Sequence, residues 1–212
     1  MNYLFVGAHL DDIELAAGGL IAKLTNKGEN VRMLVLSKSD YADLNGEVLR
    51  EKEEALAEGI NAAEILGAKL DVLNFPTKDI PYDSSVVEAI ERYIIDLNVN
   101  IVFTHNINDT HQAHISVAKA TLSAARRVQS IFFYEPIYPS GRAHIPFNPN
   151  VFADISDFMP QKIDSLKAHK SQFEKYTYKW IEAIVARAKY RGFENNMEYA
   201  ECFELCRMEY KL

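Results

Sequence analysis

The sequence predicts an α/β fold: one domain in which a mostly parallel sheet is flanked by helices. Three observations predict it. Short apolar runs alternate with longer segments of helical periodicity as far as about residue 134. The runs are nearly continuous in apolar residues, as strands covered on both faces tend to be. The chain of 212 residues is long enough for a substantial core, yet shows no internal repeat and no break that would separate a second domain. Such alternation implies right-handed βαβ units, with ligands at the carboxyl ends of the strands.

Taken in order, Tyr3 to Gly7 reads as a buried strand. Ile13, Ala16, Ala17, Leu20, Ile21 and Leu24 then keep helical spacing until Lys27-Gly28 stops them. Gly18-Gly19 inside this helix costs about 1 kcal/mol per glycine relative to alanine, which a close approach of another backbone or a ligand would explain. Val31 to Leu36 is the second strand, Ser37 to Gly46 a polar loop, and about Glu47 to Leu66 a long helix ended by Gly67. Leu70 to Phe75 is the third strand. Ser84-Ser85 caps a helix whose buried face is Val87, Ile90, Ile94 and Leu97. Ile101 to Phe103 is the fourth strand, followed by a polar loop to Thr110, a helix from about His111 to Ala125, and a strand from Ser130 to Tyr134. After Glu135 four prolines break up a loop holding Tyr138, Arg142 and His144. A strand near Val151 to Ile155, a helix from Ser156 to about His169, a helix around Trp180 to Lys189 and a strand from Ala200 to Met208 complete the chain. Residues 1–134 thus form a βα core, and 135–212 a substrate-side loop with C-terminal elements.

Composition excludes several classes. A net charge of −7 argues against a nucleic-acid surface. Cys202 and Cys206 suit buried thiols in a reducing compartment better than a disulfide framework or a metal pair. Without a signal-peptide pattern or an apolar stretch of membrane-spanning length, a soluble cytoplasmic protein is expected.

Two polar clusters carry the chemistry, each directly after a predicted strand. One is His9-Leu10-Asp11-Asp12. The other runs from His105 to His114 and holds half of the six histidines. In a parallel sheet both open on one edge and can converge. A catalytic zinc wants three His or carboxylate ligands and an open position for water, and His9, Asp12 and His114 can supply such a set. Asp11 is then free to act as base, and His111, one turn before His114, suits carbonyl polarisation or protonation of a leaving amine. Helix capping explains Asp12 and Glu14 as well, and a histidine-rich loop needs no metal. Neither alternative accounts for both clusters at strand ends, although spacing alone does not say which histidine ligates and which catalyses.

The run AHLDDIELAAGG from Ala8 resembles the opening signature of the PIG-L/LmbE family of zinc-dependent N-acyl deacetylases, usually Ala-His-Pro-Asp-Asp, an acid and a glycine pair. Asn108 to His114 resembles its second signature, usually ending His-x-Asp-His; the Leu66-Gly67 helix end and the Tyr199-Ala200-Glu201 ending extend the likeness across the chain. The resemblance implies a Rossmann-like sheet and a metal held by His9, Asp12 and His114. Zinc is expected there, with Fe2+ or another divalent ion as the alternative. It further implies Asp11 as general base, His111 as oxyanion stabiliser or amine-side acid, and N-acetylated amino sugars or their conjugates as small-molecule substrates. Homo-oligomers are common in the family.

Two departures stand out. Leu10 replaces the usual proline, with little effect expected on the chemistry. Ala113 replaces the aspartate between the two histidines, and Asp109 is the candidate substitute partner for His111; Asp109→Asn would then reduce turnover far more than metal content. His105 suits a supporting role beside the metal. Arg142 could grip a hydroxyl or phosphate or stand as a surface arginine, His144 could reach the pocket or be a solvated loop histidine, Lys38 to Asp40 could line a sugar pocket, and His169, at a helix end, is assigned no function. The rival readings are a non-catalytic, metal-containing sugar-binding or regulatory protein, and a nucleotide-binding domain using Gly18-Gly19. The second fails because those glycines fall within a helix and not in a phosphate-cradling turn.

Overall fold

In the computed structural model, residues 1–209 are described, with side chains for all of them except residues 176–178; the last three residues of the predicted domain lie outside this range. Nine strands and six α-helices follow in the order β1 (Asn2–Gly7), α1 (Asp12–Asn26), β2 (Asn30–Ser37), β3 (Tyr41–Ala42), β4 (Val48–Arg50), α2 (Lys52–Ile65), β5 (Lys69–Phe75), α3 (Ser84–Asp96), β6 (Ile101–Thr104), α4 (Gln112–Ala124), β7 (Ser130–Tyr134), β8 (Val151–Asp154), α5 (Met159–Ala168), α6 (Lys170–Phe193) and β9 (Ala200–Met208). Seven strands form one sheet in the order β5-β2-β1-β6-β7-β9-β8. The first five are mutually parallel, and β9 and β8 join antiparallel at the β7 edge.

The chain builds outward from β1 to β2 and β5, then returns to lay β6 and β7 on the other side of β1. Between β1 and β6 the direction of winding reverses, so the loops leaving these neighbours diverge and open a crevice. The apolar runs explain the layers. Leu4, Val6, Val102 and Ile131 pack on one face with Ile90 of α3 and Val117 of α4. Phe5, Met33, Phe103 and Phe132 pack on the other with Ile13 and Ile21 of α1 and Ala55 of α2. Phe5, Phe103 and Phe132 stack in a row across three strands, with ring centroids 4.6 and 4.9 Å apart.

Local chemistry moved several boundaries. The expected helix start near Glu47 is instead a hairpin of β3 and β4, turned by Asp43, whose Oδ1 accepts the amides of Asn45 and Glu47 at 2.8 and 2.9 Å. Asp83, not Ser84-Ser85, caps α3, accepting the Ser85 and Val86 amides. Val86 and Ile90 are its fully buried pair, with Val87, Ile94 and Leu97 half-buried on the same core. The predicted helix from Ser156 to His169 is a 3-10 turn followed by α5, and α6 runs well beyond the predicted Trp180–Lys189.

Gly18 and Gly19 are explained by side chains of the C-terminal half. A Cβ on Gly19 would lie 2.7 Å from Ile155 Cδ1, and one on Gly18 would lie 3.4 Å from Lys162 Cγ and Ser165 Oγ. Through this opening Glu201 accepts the Gly19 and Leu20 amides at 2.9 and 2.7 Å, while Lys162 Nζ donates to the Glu14 and Leu15 carbonyls and to Glu201. The pair is buried and fully partnered, and removing either member alone costs about 3–5 kcal/mol. It fastens α5 and β9 to the helix that begins at Asp12. Among the described residues, no helix is long and apolar enough to cross a membrane.

Candidate metal centre and active site

The loop after β1 and the loop after β6 meet at the crevice. His9, Asp11, Asp12, His105, Asp109, His111 and His114 all line one cavity of about 300 Å³, so the two clusters do converge. Arg142 is not brought in: it is exposed, its guanidinium 4.8 Å from the ring centre of Tyr138, which does line the cavity. Of Lys38 to Asp40 only Ser39 faces the cavity, and His144 does not.

Asp12 is the centre of the cluster. Its Oδ2 accepts the Ala8 and His9 amides at 3.1 and 2.7 Å, which anchors the carboxylate at the start of α1. His9 Nδ1 stands 3.3 Å from Oδ2, and His114 Nε2 stands 3.3 Å from Oδ1. Bonds of about 2.0–2.2 Å to a tetrahedral ion place neighbouring ligand atoms about 3.3–3.6 Å apart, so both spacings fit a metal. The far side of each ring agrees. His9 Nε2 lies 3.0 Å from the Thr77 carbonyl and His114 Nδ1 lies 3.0 Å from Asp109 Oδ2, acceptors that draw the ring N–H away and turn the other nitrogen towards Asp12.

Among the described residues, two trios have ligand atoms all within 4.8 Å of one another, His9 with His111 and His114, and Asp12 with His105 and His114; the expected set of His9, Asp12 and His114 is not one of them, since its histidines face opposite oxygens of Asp12. Asp12, His105 and His114 have matching spacings, His105 Nε2 standing 3.2 Å from Asp12 Oδ2, but the Ala8 amide that Asp12 accepts also points at His105 Nε2 at 3.0 Å and competes for its one lone pair. Burial holds His105 down to about 4, a neutral ring stacked on His114 at 4.0 Å. It supports the cluster from behind. His111 stacks on His114 and meets His9 edge-on, yet its Nδ1 is buried without a partner among the described residues. Burial and the charges of His114 and His9 bring it to about 4.

The electrostatics are steep. Burial would raise Asp12, but His114, His105 and His9 hold it well below the usual carboxylate range. Burial would lower His114, but Asp12 and Asp109 push it up to about 10. A proton between His114 and Asp12 thus competes with a cation for the same atoms. Asp11 is the opposite case. Burial, then the neighbouring Asp12 charge, pushes it up to about 6. Its backbone has φ 132°, a conformation that costs a non-glycine residue about 1–3 kcal/mol.

Asp109 does not partner His111's ring. Its Oδ2 takes His114, and its Oδ1 accepts the Thr110 amide and the His111 backbone amide. The expected substitution for the missing aspartate at Ala113 therefore fails: Ala113 is fully buried in the core, and Asp109 is spent on the other histidine.

Residue types alone missed a buried polar layer beneath Asp11. Glu14, read as a first-turn acid, is 1% exposed, with Oε1 3.0 Å from His169 Nε2. His169 is fully buried at the junction of α5 and α6; burial opposes its charge, but Glu14 outweighs burial and raises it. Arg50 lines the cavity, donates to the Leu10 carbonyl and to Glu58, and lies 3.4 Å from His169 Nδ1. The only sequence cue was a charged or imidazole side chain where a helix or strand should bury an apolar one.

A family model described as PIG-L, GlcNAc-PI de-N-acetylase, matches residues 4–125. The uncharacterized deacetylase YaiS of Escherichia coli K12 is 32% identical, over 79% of this chain and 90% of its own. Diacetylchitobiose deacetylase of Thermococcus kodakarensis is 27% identical, over 93% of this chain and 80% of its own. Among solved structures, GalB, the 4-carboxy-2-hydroxymuconate hydratase of Pseudomonas putida KT2440, superposes with a TM-score of 0.82 at 20% identity, covering all of both chains; that likeness shows the fold alone.

Proposed function

Because the chain belongs to the PIG-L family of de-N-acetylases, we propose that it is a zinc-dependent hydrolase that removes an N-acyl group, most simply acetyl, from an amino sugar or its conjugate. The observation that carries this reading is the convergence of His9 Nδ1 and His114 Nε2 on Asp12 beside a second carboxylate, Asp11. His9, Asp12 and His114 would hold the metal, each histidine standing 3.3 Å from one oxygen of Asp12. A zinc ion in such a site lowers the pKa of a coordinated water from 15.7 towards about 7 and polarises an amide carbonyl.

The chain's own groups divide the remaining work. Asp11, with no side-chain hydrogen bond among the described residues, accepts the proton of the attacking water. Holding a proton near pH 6, it can return that proton to the leaving amine. His111 is neutral at working pH, so it donates a hydrogen bond to the carbonyl oxygen as negative charge develops there. Tyr134, Tyr138 and Trp180 line the wall where a sugar ring would lie.

The relatives named for deacetylation support the reaction class. The deciding assay is metal analysis followed by incubation with N-acetylglucosamine, diacetylchitobiose and N-acetylglucosaminyl conjugates, scoring free amine and acetate. Stoichiometric amine and acetate are expected from at least one. Metal occupancy with no amine from any of them would favour the binding-protein reading.

A further inference from the structure

We propose that Ser39 is a positioning residue, whose hydroxyl, acting through Leu10, holds the Asp11 carboxylate in its working direction. The inference rests on the hydrolase reading above. Leu10 sits between His9 and Asp11, and both peptides around it are gripped. Its N–H donates to Ser39 Oγ at 2.7 Å, and its carbonyl accepts from Arg50 at 3.0 Å. Its side chain is fully buried against α2, where a Cβ on Gly59 would lie 2.4 Å from Leu10 Cδ2.

The next residue is Asp11, at φ 132°. A non-glycine residue keeps such a backbone only where its surroundings over-determine it. The Leu10–Asp11 peptide precedes that torsion, so fixing the Leu10 carbonyl and amide fixes the direction from which Asp11 departs. Ser39 is itself at φ 62° and 1% exposed, the reach of its hydroxyl set by the end of β2.

Where the resembling family carries proline, ring closure would fix the backbone and leave no N–H to satisfy. Leucine has neither property. Its buried N–H needs an acceptor and its φ needs a restraint, and Ser39 provides both. Neighbouring Ser37 makes a similar bond to the Ala8 carbonyl, but that is one residue before the ligand His9 and supports the strand end. Ser39 holds the N–H, and Arg50 the carbonyl, of the residue between ligand and base.

The test uses the full-length zinc-loaded protein with Ser39→Ala, Ser39→Gly, and Ser39→Ala combined with Leu10→Pro. It measures kcat, KM, Tm and zinc affinity by chelator competition. Both single variants should lose about tenfold to a hundredfold in kcat with KM within about twofold, since a misdirected base costs rate and not substrate binding. Leu10→Pro should recover most of that loss, because the ring replaces the restraint and removes the orphaned N–H. Ser39→Gly, free of side-chain strain at φ 62°, stands in if the alanine variant does not fold. A fall in Tm with kcat per zinc-loaded molecule unchanged would overturn the proposal, leaving Ser39 as a stability contact. A loss that proline does not recover would overturn it too, since the hydroxyl would then act elsewhere than on Leu10. If the wild type releases no amine, the hydrolase reading fails, and zinc affinity decides the clamp separately. The Leu10 N–H belongs to the peptide it shares with the proposed ligand His9, so affinity should weaken about tenfold in both single variants and recover with proline; unchanged affinity overturns the clamp.

Discussion

Asp11→Asn separates chemistry from scaffolding most cleanly, because among the described residues the Asp11 side chain makes no hydrogen bond that asparagine would break, and it donates no atom to the proposed metal set. Loss of a general base costs about 10²–10⁴ in kcat. The same substitution should stabilise the protein. Burial and the Asp12 charge raise Asp11 from 3.8 to about 6, which corresponds to about 3 kcal/mol of native-state free energy. The sign follows from linkage. A carboxyl whose native pKa is raised holds its proton more tightly when folded, so it favours the native state at low pH. That contribution is lost as pH rises from 3.8 through 6. Asparagine carries no charge and escapes the loss. Chelator-treated Asp11→Asn should therefore exceed the wild type in denaturant stability at pH 7.5, with the gap narrowing towards pH 5. The wild-type kcat/KM should also fall about tenfold per pH unit on the acid side of Asp11, a limb absent from the variant. Turnover within tenfold of wild type at full metal occupancy would refute the assignment of the base, whatever the stability shows.

Three further outcomes follow from the geometry. Asp109→Asn should weaken metal binding about 10–100-fold, since Asp109 carries the far nitrogen of His114. This reverses the expectation from sequence that turnover would suffer first, and chelator competition beside kcat at saturating zinc distinguishes the two. Metal binding at pH 7–8 should release one proton from His114, held up to about 10 by Asp12 and Asp109, so affinity should rise with pH up to that value; calorimetry in buffers of different ionisation enthalpy counts the proton. Gly19→Ala should destabilise by about 1–3 kcal/mol despite alanine's better helix propensity, because the new Cβ meets Ile155 at 2.7 Å; adding Ile155→Val should recover part of the loss in a denaturation series.

The sequence by itself determined the parallel sheet and the seven residues that meet at its edge. Strand periodicity is local, and a histidine or carboxylate directly after an apolar run has little else to do. It also determined that β1 and β6 each carry half a site, since both signatures lie immediately after their strands. Tertiary structure alone decided the partnerships. Asp109 is three residues nearer to His111 than to His114 in sequence, yet its ring contact is to His114, because the turn at Asn106–Asp109 aims Oδ2 along α4. Glu14 reads as a helix-start acid until His169, 155 residues away, is laid against it. Gly18-Gly19 looks costly until Lys162 and Glu201 arrive from α5 and β9. Each of these depends on distances between segments far apart in the chain, and residue spacing carries no information about them.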